Sequence, residues 1–141
     1  MTEKDFINKI HRKLPKSIYK WKIRDTYHGG VPDAYYSGFG GCIFIEYKYE
    51  KFLPKKPTTR IPVKTTTQQK QWLLTARSHC VPAFVVLGVE DKVVITSKVD
   101  IEYFTQEEFL QQATTIDYFV EELIKLCQTP STTPGIITKD L

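Results

Sequence analysis

The sequence predicts a single mixed α/β domain, and three observations support this prediction. The chain has 141 residues, which is the length of one typical domain. Hydrophobic residues make up 41% of the chain, enough to form one continuous core. Segments with helical spacing of apolar residues alternate with β-branched and aromatic segments, in the order helix, three strands, helix, two strands and final helices. This order is typical of a mixed α/β fold.

The first part of the chain is predicted to contain one helix and three strands. Apolar residues recur at helical spacing over 3–14, and Pro15 then ends the helix. Basic side chains alternate with apolar and aromatic ones over 18–25, which predicts a strand with one basic face. After a Gly-Gly turn, a short second strand is predicted over 31–37. The segment 42–49 (CIFIEYKY) is predicted to be the third strand, because it is rich in β-branched and aromatic residues.

The next part of the chain is predicted to contain a basic loop, a helix and two strands. Residues 50–64 hold three prolines and five basic residues, a composition that favours an exposed, partly mobile loop. The spacing of apolar residues predicts the second helix over 65–80. The continuous apolar run over 82–89 is typical of a strand covered on both faces, and a short strand is predicted over 93–96.

The C-terminal part of the domain is predicted to be helical. Thr105 begins a capping-box pattern, and apolar residues recur at helical spacing over 116–127, so we expect helices over 105–128. The polar, proline-containing segment 129–141 is expected to be a flexible tail. The single domain therefore covers residues 1–128.

Composition and charge restrict the possible classes of protein. No apolar run is long enough to span a membrane, and the charged N-terminus does not resemble a secretory signal. Cys42, Cys80 and Cys127 are widely spaced, so we expect reduced, buried thiols in a cytoplasmic protein, without a disulfide or a zinc site. The net charge is +4, but residues 1–64 carry 14 Lys or Arg against 6 Asp or Glu. This basic half favours a polyanionic partner.

Two acidic residues and a lysine form the candidate catalytic site. Asp33 follows a Gly-Gly turn in the segment GVPD, and Glu46 and Lys48 share one face of the predicted third strand. If the second and third strands pair as a hairpin, Asp33 lies beside Glu46. Two carboxylates, with the carbonyl of Tyr47 as a further ligand, suit Mg²⁺, for which Mn²⁺ can substitute. A bound metal activates water, and Lys48 can position that water or stabilise charge on a phosphate.

Each of these features also has a common structural explanation. An Asp after a Pro often lies in a surface turn, and Glu-x-Lys on one strand face is often a solvated ion pair. Taken singly, each is more often structural than catalytic. Their combination on one hairpin between two helices is much more specific, and this combination predicts metal-dependent chemistry on a phosphate.

The segments GVPD (30–33) and IEYK (45–48), in this order, resemble the signature of the PD-(D/E)xK nuclease superfamily. Within this superfamily the chain is most similar to the virus-type replication-repair nuclease modules (VRR-NUC) of phages, which are related in design to Holliday-junction resolving enzymes. The resemblance covers the core over 3–97. It implies a restriction-endonuclease-like αβββαβ core, with a mixed central sheet flanked by helices, to which the C-terminal helices are added.

The resemblance also assigns roles by position. It makes the two carboxylates metal ligands and the lysine of the IEYK segment the catalytic lysine. Glu3 matches a glutamate that family members often carry on the first helix near the metal, although a carboxylate there also stabilises the positive end of the helix. Relatives carry a glutamine early in the second helix. Gln69 fits that position, with Gln68 and Gln71 as alternatives.

The basic loop supplies the candidate contacts to nucleic acid. These residues are Lys51, Lys55, Lys56, Arg60 and Lys64. They are expected to bind phosphates without reading base edges. Tyr35, Tyr36 and Phe39 flank the predicted site and could stack on bases, although packing in the core is the usual role of such side chains.

The expected function is that of a magnesium-dependent DNA endonuclease acting on branched DNA, such as a Holliday junction. Two scissile phosphates in a junction need two symmetry-related sites, so we expect a homodimer with the C-terminal helices as its interface. The alternatives are a nuclease that acts on single strands, flaps or ends, a non-catalytic nucleic-acid-binding protein of the same fold, and a protein-binding module. The resemblance further suggests a phage protein that acts in the host cytoplasm.

Overall fold

A computed structural model gives the structure of residues 1–24 and 29–128. The helices are α1 (Glu3–Lys13), α2 (Thr67–Ser78), α3 (Gln106–Gln112) and α4 (Ile116–Gln128). The strands are β1 (Tyr19–Lys22), β2 (Ala34–Gly38), β3 (Gly41–Glu50), β4 (Arg60–Pro62), β5 (Ala83–Val89), β6 (Lys92–Thr96), β7 (Tyr103–Thr105) and β8 (Thr114–Thr115). The predicted end of the first strand at Asp25 and the predicted tail over 129–141 lie outside the described residues.

Six strands form the central sheet, in the order β1-β2-β3-β5-β6-β8. β3 and β5 run parallel, and the connection between them contains β4 and α2. The other neighbouring strands of this sheet are antiparallel. β4 and β7 form a separate antiparallel pair. The fold is therefore a mixed α/β fold with a mixed sheet flanked by helices, as the sequence predicted.

Alternation along β3 separates two hydrophobic cores on opposite faces of the sheet. Ile45 and Tyr47 point into the first core, which α1 and α4 cover. Phe44 packs against the second core, which contains side chains of α2, α3 and β5. Glu46 and Lys48 have the same parity as Phe44 and therefore lie on its face. The sheet thus places the candidate catalytic pair on the α2 side.

Capping boxes begin α1, α2 and α3. In each box a threonine and the residue three positions later accept hydrogen bonds from each other's backbone N–H group. The box at Thr105 is the one that the sequence predicted. The helices predicted over 3–14 and 65–80 are confirmed, with slightly shorter bounds.

The prediction of a loop over 50–64 is wrong in one part. Residues 60–62 form β4, which pairs with β7, a strand that no sequence pattern predicted. Ile61 and Val63 are buried in the second core. Because these two residues alternate with exposed ones, they hold this part of the chain as a strand.

Two strands are shorter than predicted at the end that lies next to the candidate site. β1 ends at Lys22, and β2 begins only at Ala34, so 31–33 belong to the preceding turn. The backbone N–H of Ile23 still donates to the carbonyl of Asp33, at 2.9 Å. The turn that carries Asp33 is therefore held beside the end of β1.

The three cysteines are free, as expected, but they are not all buried. Cys127 is buried and Cys42 is partly buried. Cys80 is exposed, because it lies in the turn after α2 with a left-handed φ of 63°. The expectation of three buried thiols is therefore wrong at Cys80.

Within the described residues, the helices are too short or too polar to cross a membrane.

Candidate active site

The turn before β2 and the middle of β3 bring Asp33 and Glu46 together. Ala34 pairs with Ile45, so the residue before Ala34 lies opposite the residue after Ile45. Asp33 Oδ2 accepts a hydrogen bond from the backbone N–H of Tyr47, at 2.8 Å. This bond fixes the Asp33 carboxylate at the point where the pairing of β2 with β3 ends.

The GVPD segment is anchored against the start of α2. Gly30 has a left-handed φ of 88°, and a Cβ added there would overlap the backbone oxygen of Gln68. Glycine alone permits both this conformation and this close approach. Pro32, the next residue but one, is buried. The turn that carries Asp33 is thereby held against the helix that carries Gln69.

Lys48 connects Glu46 to α2. Its Nζ lies 3.0 Å from Glu46 Oε2 and donates a hydrogen bond to Gln69 Oε1, also at 3.0 Å. The same Gln69 oxygen accepts a hydrogen bond from the backbone N–H of Thr66, at 2.9 Å, as part of the capping box. Gln69 therefore fixes the lysine and is itself fixed by the start of the helix.

The other predicted catalytic candidates lie at the margin of this cluster. Gln68 and Gln71 are exposed and line a groove between α2 and β3. Glu3 lies in the first turn of α1, and partial desolvation, then the charge of Asp33, raise its pKa. Among residues 1–24 and 29–128, no three His, Cys, Asp or Glu side chains form a group that could hold a metal ion. In this structure Glu3 therefore does not form such a group with Asp33 and Glu46.

Burial and mutual repulsion raise the pKa values of the two central carboxyls. The side chain of Glu46 is only 2% exposed. Its burial, followed by the charge of Asp33, raises the pKa of Glu46 to about 8 against the attraction of Lys48. Burial also raises the pKa of Asp33, and the backbone N–H of Tyr47 opposes this shift. When both carboxyls are ionised, two negative charges face one lysine, an imbalance that a divalent cation would neutralise.

The oxygen atoms of the site fit a hard divalent cation. Glu46 Oε1 is buried and has no hydrogen-bond partner among the described residues. The N–H of Phe44 donates a hydrogen bond to the carbonyl of Pro82, so it points to the β5 side of β3. The N–H of Tyr47 donates to the carboxylate of Asp33, so it points to the β2 side. Since the N–H and C=O of one strand residue point to the same side, the Tyr47 carbonyl is directed towards Asp33. Two carboxylates and this carbonyl suit Mg²⁺, whose remaining ligands are usually waters.

The predicted phosphate contacts follow β3. Lys51, Lys55 and Lys56 are exposed. The Arg60 guanidinium stacks over the Tyr103 ring, 4.3 Å from its centroid. Lys64 pairs with Glu50 at 3.1 Å, and Glu50 lies two residues beyond Lys48 on the same face of β3. The basic segment therefore begins and returns close to Lys48.

Two of the aromatic residues predicted to flank the site do not do so. Tyr36 lies in the first core, where its hydroxyl is 2.6 Å from His11 Nε2 and 2.7 Å from the Tyr47 hydroxyl. Phe39 is 98% exposed in the turn between β2 and β3. At a strand rise of ~3.3 Å per residue, Phe39 is about 20 Å from Asp33. Core packing explains Tyr36, and Phe39 belongs to the opposite end of the hairpin.

Four aromatic side chains do lie on the face of the site. Tyr35 contacts Phe44 there, as expected for residues that are paired across β2 and β3. Trp21 contacts Tyr35 from β1, and Trp72 contacts Phe44 from α2. The sequence carried a signal for both tryptophans. Trp21 alternates with the basic residues of the first strand and so lies on its apolar and aromatic face. Trp72 follows Gln69 by three positions, which places Gln69 and Trp72 on the same face of the helix.

Comparison with known proteins identifies the fold. No family model matches the chain, and no curated protein matches it significantly. Among solved structures, the chain is similar to Hjc, a Holliday junction resolvase from the archaeal hyperthermophile Archaeoglobus fulgidus. The TM-score is 0.54 at 13% sequence identity, over 84% of this chain and 96% of that chain. The fold is therefore restriction-endonuclease-like, as the sequence resemblance implied.

Proposed function

We propose that the protein is a metal-dependent endonuclease that hydrolyses phosphodiester bonds in DNA. The observation that carries this proposal is the convergence of Asp33, Glu46, Lys48 and Gln69 from a turn, a strand and a helix. The carboxylates are hard oxygen ligands, and the lysine lies 3.0 Å from both Glu46 and Gln69. The fold shared with a Holliday junction resolvase supports the same class of reaction.

Asp33 and Glu46, together with the carbonyl of Tyr47, would hold Mg²⁺ or Mn²⁺. The bound metal supplies an activated water and neutralises charge on the phosphate. Beside the buried carboxylate of Glu46, the Lys48 ammonium can orient the attacking water and stabilise the charge that develops on phosphate oxygens. Gln69 positions this ammonium through its Oε1.

The preferred substrate in this proposal is branched DNA of the Holliday-junction type. The similarity to a junction resolvase supports it, as does the exposed basic segment, whose lysines would bind phosphates without reading bases. A homodimer would present two sites to the two scissile phosphates. On α4, Tyr118 and Leu126 are exposed and offer apolar surface for contact between two copies. A light-scattering mass of one chain at assay concentration would contradict the dimer.

The test is a cleavage assay on a labelled four-way junction, a flap and a matched linear duplex, in Mg²⁺, Mn²⁺ or EDTA. We expect metal-dependent cleavage of the junction, lost in Asp33→Asn and in Lys48→Ala. Asp91→Asn and Lys16→Ala are matched controls, because they change the same residue types at exposed positions away from the site. Both controls should cleave like the wild type.

The other outcomes separate the alternatives. Equal cleavage of flap and duplex would keep the nuclease and refute the junction preference. Binding without cleavage in either metal would refute the nuclease and favour a non-catalytic nucleic-acid-binding protein. The absence of any salt-dependent binding to DNA would favour a protein-binding module, because phosphate contacts always weaken as salt rises.

A further inference from the structure

Five aromatic side chains form a continuous row across the sheet, from its β1 edge to α2. The row consists of Tyr19, Trp21, Tyr35, Phe44 and Trp72. The ring centroids of Tyr19 and Trp21 each lie 6.3 Å from that of Tyr35, which is 4.9 Å from Phe44. Phe44 is 5.1 Å from Trp72. At the β1 end the row is open to solvent, since Tyr19 is 59% exposed and Trp21 49%.

The aromatic row lies on the same sheet face as the candidate active site. Trp21 pairs with Tyr35 across β1 and β2, and Tyr35 pairs with Phe44 across β2 and β3. Tyr35 is two residues from Asp33, and Phe44 is two residues from Glu46, a separation of about 7 Å along each strand. A nucleic acid strand with a phosphate at the two carboxylates would therefore bring neighbouring bases over these rings.

At its α2 end the row opens into a groove between α2 and β3. The groove has a volume of about 540 Å³, and Phe44 and Trp72 form part of its lining. Amide, hydroxyl and imidazole groups also line it, from Gln68, Gln71, Thr75 and His79. A nucleobase has the matching chemistry, because it offers an aromatic face for stacking and an edge of hydrogen-bonding groups.

We propose that the aromatic row and the groove bind unpaired nucleobases of the substrate strand, next to the bond that is cleaved. This inference rests on the proposed nuclease function and adds the feature of the substrate that the protein recognises. Stacking on aromatic side chains binds single strands without regard to sequence, since every base has a π face. Flaps and single-stranded ends offer such bases directly, and a junction offers them where its strands open at the crossing point.

The charges around the row favour a nucleic acid strand over a second copy of the chain. Arg24 is exposed just beyond β1, and Lys51, Lys55 and Lys56 are exposed beyond β3. A strand that places its bases on the row passes these positive side chains with its phosphates. Contact between two copies of this basic half would instead bring like charges together.

Trp21 and Trp72 are the only tryptophans of the chain, so its intrinsic fluorescence reports on the row directly. The experiment titrates the full chain with oligothymidylate in EDTA, where cleavage cannot interfere, and with the oligothymidylate–oligodeoxyadenylate duplex for comparison. Anisotropy of labelled oligothymidylate gives the affinity of each variant. We expect oligothymidylate to quench the fluorescence, and the duplex to quench it much less.

Substitutions then test the row itself. Trp21→Ala should weaken the binding of oligothymidylate by about 5- to 150-fold, the range expected for the loss of one stacking partner. Trp72→Phe keeps an aromatic ring in the groove and should retain binding. Phe39→Ala removes an exposed aromatic ring from the turn between β2 and β3, outside the row and the groove, and should bind like the wild type. Thermal melting checks that each variant is folded.

Equal affinity for single strand and duplex, or unchanged affinity of a folded Trp21→Ala, would overturn the proposal. A light-scattering mass of two chains that falls to one in Trp21→Ala, without quenching by oligothymidylate, would assign the row to contact between copies. The assay contains no metal, so its failure differs from that of the nuclease proposal. Cleavage of duplex DNA without binding of single strands would support the nuclease function and refute the base-binding site. Binding of single strands without any cleavage would support the base-binding site and refute the nuclease function.

Discussion

Acid should destabilise this protein through one buried histidine. His11 is 7% exposed, and its Nε2 lies 2.6 Å from the Tyr36 hydroxyl in the first core. Burial, and then the charges of Lys22 and Lys20, lower the pKa of His11 from 6.5 to about 4. The unfolded chain therefore binds the proton more readily than the folded one. The stability that depends on neutral His11 is complete above a pH of 6.5 and is lost as the pH falls towards 4.

The magnitude follows from the two pKa values. One pKa unit corresponds to about 1.36 kcal/mol, so the full loss is about 3 kcal/mol, of which about 2 kcal/mol is reached at about pH 5. Small domains are stable by only about 5 to 15 kcal/mol, so this loss is measurable. Glu46 acts with the opposite sign, because its pKa is raised in the folded protein and its protonation favours folding as the pH falls.

The assay is urea denaturation of the wild type and of His11→Gln between about pH 7.5 and about pH 5. Glu46 is present in both proteins, so its contribution cancels in the difference between them. We expect the wild type to lose about 2 kcal/mol more than His11→Gln over this range. His79→Gln, which changes an exposed histidine at the end of α2, should behave like the wild type. Equal losses in the wild type and His11→Gln would refute the reasoning.

Four further substitutions test the turn, the helix cap and the hairpin tip. Gly30→Ala forces a left-handed φ on a residue with a Cβ that overlaps Gln68, so urea denaturation should show a loss of about 2 kcal/mol; unchanged stability would mean that the turn relaxes freely. Gln69→Ala and Thr66→Ala each remove part of the capping box and should each cost about 1 kcal/mol. Only Gln69→Ala should also slow metal-dependent cleavage, and equal cleavage by both variants would contradict its positioning of the lysine. Phe39→Ala should change stability by no more than about 0.5 kcal/mol, because the ring is exposed, and a clear drop in Tm would reveal a contact.

Sequence alone predicts those elements of the fold that have a long and regular pattern. α1 and α2 show helical spacing of apolar residues, and β3 and β5 are rich in β-branched residues, so all four were found. β4 and β7 have three residues each, and their pairing joins parts of the chain that are more than forty residues apart. The alternation of Ile61 and Val63 is the only local trace of this pair. Proline and lysine dominate the surrounding segment and favour a loop instead.

The same distinction holds for the candidate site. Asp33 and Glu46 meet across one hairpin, whose register depends on residues close in sequence, so their proximity could be predicted. Gln69 needed the family resemblance, because its contact with Lys48 depends on how α2 docks on the sheet. Trp72 reaches the aromatic row through the same docking. Contacts between a helix and a sheet have no counterpart in local spacing, and this part of the site therefore required the structure.

The position of the site follows from the unequal lengths of β2 and β3. The two strands pair up to Ala34 and Ile45, and β3 continues beyond this point. The next outward-facing N–H group, that of Tyr47, would lose its strand partner there, and the Asp33 carboxylate accepts its hydrogen bond instead. Asp33 thus satisfies a backbone N–H group of β3 and also contributes a carboxylate to the candidate metal site.

This double role gives a last prediction, which separates the charge of Asp33 from its part in the fold. Asp33→Ala leaves the partly buried N–H of Tyr47 without its acceptor and should cost about 1 to 3 kcal/mol in urea denaturation. Asp33→Asn keeps an acceptor oxygen and relieves the repulsion with Glu46, so its stability should not fall below that of the wild type. Equal destabilisation of both variants would contradict this account. With a stable Asp33→Asn, any loss of cleavage reports the missing negative charge at the candidate metal site and not a disturbed fold.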